Sequence, residues 1–463
     1  MDAAEEVEVA TKLLRRLNES RPGLETWNAY YEGEQPLSYM HPDLLKELEG
    51  RIRQLVINWP RLVVDSVEER LDVEGFRLDD KMDERAWDWW QGNNLDETSQ
   101  EAHVDALTMG RAYGIVGTNP DDESLPLITI ESPMQVWAAH DPATRKVTAA
   151  VKSWKDQDTR ERFVTLYYPD ATVHYKGDQL ETIGRDDHRL GVVPVRPIIT
   201  RPRTLNKRGV SELKDIVPLS DAACKIATDM MVSADFHAIP RTIGLGLTDE
   251  DFVDSEGRPV GKWEKIAGRI WTIGSPPGEV DVKQLATADL RNFHETINSL
   301  AKLCASMAGL PPHFFGWSDA NPTSADAIQA ATMRLVKRVE RRQRSYGGSY
   351  EDLMRIGFLI VDGELPAGAH RLETVWRDAS TPSIAQAADA LGKFASQLDV
   401  PKRALWDRIP TVTKTEVARW KDIADEDRAA TADANARAFG VAVDPAVHDQ
   451  AVGDSADVVE GGP

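Results

Sequence analysis

The chain is 463 residues long and carries 76 acidic against 55 basic side chains, a formal net charge of -21 at pH 7. That balance excludes a sequence-specific DNA binder, which needs a basic face to neutralise phosphates, but not a protein that lets DNA pass. With 41 % hydrophobic and 28 % charged residues the composition is that of a globular protein with core enough for one to three domains, and no run reaches the roughly 18 apolar residues of a membrane span.

In chain order, the acidic start MDAAEEVEVATKLLRRL lacks the basic, apolar build of a signal peptide, so the protein is expected to stay in the cytoplasm where it is made. Leu13, Leu14 and Leu17 begin an amphipathic helix that Arg21-Pro22-Gly23 is expected to end. A second helical pattern, Asp43 to Val56, leads into NWPRLVVDSVEERLDVEGF, where Asn58 can cap a helix with Pro60 in its first turn. Leu62, Val63, Val67 and Leu71 face inward there, and the helix is expected to end near Gly75. Trp87, Trp90 and Leu95 belong to a further helical hairpin closing with Ala106 to Tyr113, its tryptophans spaced as core residues are.

From Gly114 to Ile199 the apolar period changes to two. IVGTN, LPLITIE, QVWAAHD, KVTAAVKSW, RFVTLYY and ATVHYKG are divided by the turn signals NPDD, DPATR and PDA, and read as antiparallel strands joined by hairpins. An irregular stretch with Pro194, Pro197 and Pro202 then leads to a helix from Ser220, its expected N-cap, to His237. Between Ile239 and Ala286, Gly and Pro punctuate strand-length stretches such as RTIGLGL and GRIWTIG, so a β-rich insert emerges between two helices.

The helix Thr287 to Ala308 carries Leu290, Phe293, Ile297, Leu300, Cys304 and Met307 at alternating spacings of three and four, a seam for another helix. Thr287 is expected to cap its start; Gly309, Pro311 and Pro312 stop it. The next helix, Ser324 to Val361, is opened by Thr323 with Asp326, and Leu335, Val339, Tyr346, Tyr350 and Leu353 track one stripe along it, with a bend expected at Gly347-Gly348. After Gly363 come a strand (HRLETVWRD) and short helices near Ile384 to Leu398, Lys402 to Arg408 and Lys414 to Asp427. The acidic end is expected to be disordered, at least beyond Pro445.

No catalytic constellation is present: there is no GxSxG, HExxH, GxGxxG or calcium-loop spacing, and GRPVGKW at Gly257 to Trp263 lacks the spacing and the Ser or Thr of a phosphate loop. The histidines stand singly, and Asp156 with Asp158, and Asp186 with Asp187, lie in polar turns. Two cysteines, Cys224 and Cys304, are too few for a disulfide framework or a zinc site and sit on apolar helix faces. No metal and no cofactor is expected.

Two features remain. Arg334, Lys337, Arg338, Arg341 and Arg344, with Arg342 beside them, form a basic face on the long helix, which serves either ion pairs with a neighbouring subunit, the favoured reading, or a local phosphate contact. The segment GLPPHFFGWSDANPT, held between two helices, exposes Phe314, Phe315 and Trp317 unless they pack on the protein's own core.

In this order the elements resemble the portal proteins of tailed bacteriophages, in particular the actinobacteriophage members of the siphophage-type portal family. The resemblance rests on YYEGEQPL at Tyr30 to Leu37, NWPRLVVDSVEERLDVEGFR at Asn58 to Arg77, GVSEL at Gly209 to Leu213 and GLPPHFFGWSDANPTSADAI at Gly309 to Ile328, and covers about residues 8 to 440 in order and length. It implies an α+β portal fold and no enzyme activity. The implied map is a wing (1–205), a first stem helix region (206–238), a clip (239–286), a second stem helix (287–309), a tunnel loop (310–323), a long helix with a return strand to the wing (324–382), crown helices (383–440) and an acidic tail (441–463).

The resemblance further implies a homo-oligomeric ring of about twelve subunits at one capsid vertex of the virion, assembled in the host cytoplasm. Double-stranded DNA passes through it without sequence specificity, and the terminase large subunit, a head-to-tail connector and the major capsid protein are its partners; no membrane is involved. The residues expected at the channel are Pro311, Pro312, His313, Phe314, Phe315, Gly316, Trp317 and Asp319, the last being the only charge between Leu310 and Pro322. Another ring-forming head-to-tail adaptor is usually much shorter, and a soluble hydrolase would need paired acid and base groups; both remain alternatives at this point.

Overall fold

The computed structural model describes residues 3–36, 55–79, 81–238, 242–245, 281–284, 290–316, 325–380, 384–409, 412 and 414–438. They belong to two compact units that divide between Ala379 and Ser380.

In the first unit, α1 (Ala3–Glu32) runs through Pro22 instead of ending there. Proline deprives a helix interior of one hydrogen bond, but Leu24 and Tyr30 beyond it are buried, and the Tyr30 hydroxyl donates to the Asp221 carboxylate at 2.9 Å. Tertiary packing of the last turns therefore outweighs the lost bond. Helix α2 (Trp59–Glu68) starts as expected, with Asn58 Oδ1 accepting from the Arg61 amide at 3.1 Å and Pro60 in the first turn. It ends well short of Gly75, because Val73–Leu78 forms strand β1 between β2 (Lys81–Met82) and β13 (Glu373–Trp376), with Phe76 opposite Thr374. That partner lies about 300 residues away and leaves no local signature.

Helices α3 (Glu84–Gly92) and α4 (Leu95–Met109) form the tryptophan-bearing hairpin, with Trp89 and Trp90 buried. Gly110, at φ 87°, ends α4 in the left-handed conformation, so Tyr113 belongs to β3 (Arg111–Gly117) and not to the helix. Strands β4 (Leu127–Glu131) and β10 (Val195–Ile199) flank β3 in one antiparallel sheet. The other is a five-stranded meander of β5 (Val136–His140), β6 (Val147–Lys155), β7 (Arg162–Tyr167), β8 (Thr172–Lys176) and β9 (Glu181–Asp186). The alternation of two works on both faces. Trp137, Val151, Val164 and Leu166 pack under Ala10, Leu13, Leu14 and Leu17 of α1, while Val136, Ala138 and Ala150 pack with Ile115, Val193 and Val195. Strand β9, polar apart from the exposed Ile183 and so without an apolar alternation to mark it, closes the edge.

Helix α5 (Val217–Ala238) begins three residues before the expected cap: Pro218 occupies its first turn, and Ser220 is buried inside it, donating to the Ile57 carbonyl at 3.1 Å. Strands β11 (Thr242–Leu245) and β12 (Asp281–Gln284) pair antiparallel at the two ends of the insert. Helix α6 (Arg291–Ala308) follows, and α7 (Ala325–Val361) is helical through Gly347-Gly348. Gly347 serves close approach: a Cβ there would lie 3.1 Å from Trp376 Nε1. In the same core His103 stacks on Tyr346, with centroids 5.4 Å apart, and its Nε2 lies 2.9 Å from the Tyr350 hydroxyl; burial pushes its pKa down to about 3.

The second unit holds α8 (Ile384–Gln397), α9 (Lys402–Leu405) and α10 (Lys414–Ala438), the last running past Asp427. Trp406 and Trp420 meet edge-on at 6.3 Å. The expected helix over most of 43–56, the interior of the 239–286 insert with Lys262, the Thr287 and Thr323 caps, Trp317, Asp319, Pro322 and the 441–463 tail lie outside the described residues.

Candidate functional site

The segment between α6 and α7 starts with Gly309 at φ 69°, its amide bonded to the Ala305 carbonyl, and the Leu310 amide reaches the same oxygen at 3.0 Å. Pro312–Phe315 then forms one turn of 3-10 helix, ended by Gly316 at φ 79°. Pro311 is buried, Pro312 and Gly316 are exposed, and His313 and Phe314 are half-buried with rings edge-on at 5.0 Å. Phe315 departs from the expected display. It is 7 % exposed and meets Trp59 edge-on at 5.7 Å, because the first residue of α2 offers an aromatic wall that a free Phe ring would otherwise leave wet.

The start of α7 clamps the end of α6. Arg334 Nη1 donates to the Ser306 carbonyl at 2.7 Å and Arg338 Nη1 to the Ala308 carbonyl, so two arginines satisfy carbonyls that a helix C-terminus leaves open and complement its dipole. Arg338 Nη2 also donates to Glu212, which accepts from Arg342 Nε at 2.8 Å and from Arg342 Nη2, with Arg201 3.9 Å away. Burial alone would raise the Glu212 pKa, but Arg338 and Arg342 outweigh it and hold the carboxyl below its ordinary value.

Against the expected pairing of the basic face with a neighbouring subunit, Arg338 pairs with Glu212 and Lys337 with Glu340 at 2.8 Å within the chain, while Arg334 binds a backbone carbonyl. Arg341 and Arg344 are exposed and have no ion pair among the described residues. Glu212 belongs to GVSEL, and its arginine partners lie about 130 residues downstream, beyond any local pattern.

The seam of α6 is covered in part within the chain. Ile297 and Cys304 are buried as expected, Leu290, Phe293 and Leu300 are half-buried, and Met307 is 51 % exposed. Ala301, Ala305 and Ala308 join Ile297 and Cys304 in a core shared with Ala223 and Ala227 of α5. Small side chains let helices approach closely, so the alanines share this contact with the seam residues.

Among the described residues no group of His, Cys, Asp and Glu could hold a metal ion, and no helix is long and apolar enough to cross a membrane. Asp156 accepts from the Asp158 and Thr159 amides at 3.0 and 2.7 Å and so shapes its own turn. The clamp of α7 on α6 immobilises the start of the loop between these two helices.

The model of the family described as phage portal protein, SPP1 Gp6-like, matches residues 11–430. The chain belongs to this family of phage portal proteins. The portal protein of Mycobacterium phage L5 is 34 % identical over 443 residues, covering 91 % of this chain and 89 % of that relative, and the portal protein of Mycobacterium phage D29 is 33 % identical over 440 residues, covering 90 % and 88 %. Among solved structures, a chain from the virion of a native gene transfer agent particle aligns with a TM-score of 0.43 at 14 % identity, covering 82 % of this chain and 93 % of that one. A chain from the neck of that particle gives 0.44 at 14 % identity, covering 81 % and 95 %.

Proposed function

We propose that this chain forms the closed ring, of about twelve copies, through which the phage genome is packaged and later ejected at one capsid vertex. The observation that carries this reading is the family match from residue 11 to residue 430, joined by relatives that align along about nine-tenths of both chains. In the proposed map residues 1–205 are the wing, 206–238 and 287–309 the stem, 239–286 the clip and 383–440 the crown. The clip offers the surface on which the terminase large subunit and later the head-to-tail connector dock, and the major capsid protein surrounds the ring.

The physics suits a conduit. Each phosphate neutralised by a fixed Lys or Arg adds affinity that a packaging motor must overcome, and this chain has a net charge of -21 with one charged residue, Asp319, between Leu310 and Pro322. With Phe315 anchored on Trp59, the tunnel-loop role moves to Trp317 and its neighbours up to Pro322, with Phe314 at the margin. The ring has no catalysis of its own, so ATP turnover appears only with the terminase.

The test is the size and shape of the purified protein. Twelve chains of 51.5 kDa give a particle of several hundred kDa with an axial hole in averaged electron micrographs. A monodisperse monomer or dimer at micromolar concentration and physiological salt would remove the ring reading.

A further inference from the structure

Away from the long helix, a second group of cations has no acidic partner among the described residues. Arg111 opens β3 and Arg208 lies in the loop after β10, and a backbone crossing brings them together. Gly110 and Gly209, at φ 87° and 82°, pass so closely that a Cβ on Gly209 would lie 2.0 Å from the Gly110 carbonyl oxygen. The Thr200 amide donates to that oxygen at 2.9 Å, and the Val210 amide to the Thr200 carbonyl at 3.0 Å. Both guanidinium groups then lie over one indole, Arg208 at 4.2 Å and Arg111 at 5.3 Å from the Trp137 ring centroid. With Tyr113, His140, Pro197 and Lys207 they line a small surface cleft.

Among the described residues no anion compensates the charges in this cleft. Arg111 is 8 % exposed, and its Nε and Nη2 are buried with no hydrogen-bond partner. Burial lowers the Arg208 pKa, with repulsion from Arg111 and Arg16 acting in the same direction. No carboxylate among the described residues pairs with Arg111, Lys207 or Arg208. His140, whose pKa burial lowers, with Arg208 and Arg196 adding to the effect, contributes no negative charge. A guanidinium taken out of water needs an acceptor, and a planar carboxylate satisfies two of its N–H groups at once.

We propose that this cleft is a carboxylate-binding site, filled by an acidic side chain of a second copy of this chain. The identity of the occupant rests on the ring reading; the carboxylate chemistry does not. A surface with 21 more acidic than basic residues presents many such groups. A recess walled by an indole and a proline admits one projecting side chain, whereas a DNA duplex presents its phosphates on a stiff rod that cannot enter.

Two measurements test this. Thermal unfolding of the purified chain in sodium acetate, against sodium chloride at equal ionic strength, should shift upward by a few degrees, since a ligand that binds the folded state stabilises it. The shift should be lost in Arg208→Gln, whose exposed side chain spares folding, and in Arg111→Gln. Equal shifts in the wild type and Arg208→Gln overturn the carboxylate site. In an averaged map of the assembled particle, a carboxylate from a neighbouring copy should lie within hydrogen-bond distance of Arg111, and Arg208→Glu should lower the assembled fraction at least tenfold. A cleft that is empty, filled from its own chain or filled by a DNA phosphate, in a ring that forms normally, overturns the proposal and leaves the ring standing. A wild-type chain that never assembles overturns the ring and the second-copy occupant together, and the acetate shift then decides the chemistry alone.

Discussion

Arg342 and Arg111 are equally withdrawn from solvent, each 8 % exposed, yet Arg342 donates twice to Glu212 while two of the Arg111 nitrogens find no acceptor among the described residues. Arginine cannot shed its proton to escape burial, so each site must find an anion or bear the desolvation. Around Glu212 the chain supplies the anion itself, and the result is cohesion: α7, the end of α6 and the turn before α5 are tied at one point. Around Arg111 the chain supplies an indole and a second guanidinium, an arrangement that favours an anion from outside. The same residue type therefore closes the molecule in one place and leaves it open in another, and the difference lies in whether a carboxylate is folded in with it.

The largest test of that contrast converts one site into the other. Glu212→Ala leaves Arg338 and Arg342 buried without their acceptor and should cost about 3–5 kcal/mol of unfolding free energy in a urea titration. Arg111→Met, which removes a charge that the isolated chain does not pair, should stay within about 1 kcal/mol of wild type in the same titration. Equal losses in the two variants would erase the distinction between closed and open arginines.

The next effect asks how far the clamp reaches into the loop. Phe315→Ala opens a void beside Trp59 and should cost about 3 kcal/mol, whereas Phe314→Ala, at a half-buried ring, should cost about 1 kcal/mol. If the two variants unfold alike, the ordered segment ends at Gly309 and Phe315 is not an anchor.

His103 supplies the third way of burying a titratable group, which is to stay neutral. Its folded pKa of about 3 lies below the ordinary histidine value of 6.5, so the unfolded chain binds the extra proton first. Stability is complete above pH 6.5 and lost as pH falls toward 3, with a limiting slope of about 1.4 kcal/mol per pH unit, or roughly 2 kcal/mol by pH 5. Glu68 works in the opposite sense: burial, with Asp72 and Asp65 adding to it, raises its pKa to about 7, so its contribution is lost as pH rises through that value. The comparison is therefore between wild type and His103→Gln, which share Glu68. Removal of the histidine should flatten the acid limb, and an unchanged limb would show that His103 is not held neutral.

What was legible in the sequence follows from how far each cause reaches along the chain. The strands from Leu127 to Tyr175 were readable because alternation and turn residues are local, and both faces of the meander obey them. The start of α2 was readable from Asn58 and Pro60, which act within three residues. Its end was not, because β1 exists by pairing with β13 across the length of the unit. Continuation of α1 through Pro22, burial of Phe315 on Trp59 and the pairing of Glu212 with Arg338 and Arg342 are likewise contacts between distant segments, and local spacing is blind to them. Arg111 left one faint mark: a charged residue directly after a helix-ending glycine, at the head of the otherwise apolar strand AYGIV, is an invitation to ask what pairs with it.

The smallest expected effect concerns Arg341 and Arg344, the members of the basic face that the chain leaves unpaired among its described residues. Being exposed, they cost little desolvation and support no buried partner, so Arg341→Gln with Arg344→Gln should unfold within about 0.5 kcal/mol of wild type. That near-silence separates them from Arg338 and Arg342 on the same helix and removes folding as an explanation for any other change. If they touched DNA phosphates in the assembled particle, the double variant would lower the log-log salt dependence of DNA association by about one unit per lost contact. The expected outcome is an unchanged slope for DNA and a weaker salt dependence of assembly, since a cation unpaired among the described residues and set in an acidic protein is placed to meet a carboxylate of the next copy. A reduced DNA slope with assembly unaltered would assign these two side chains to the genome, and the open arginines of this molecule would then serve two different anions.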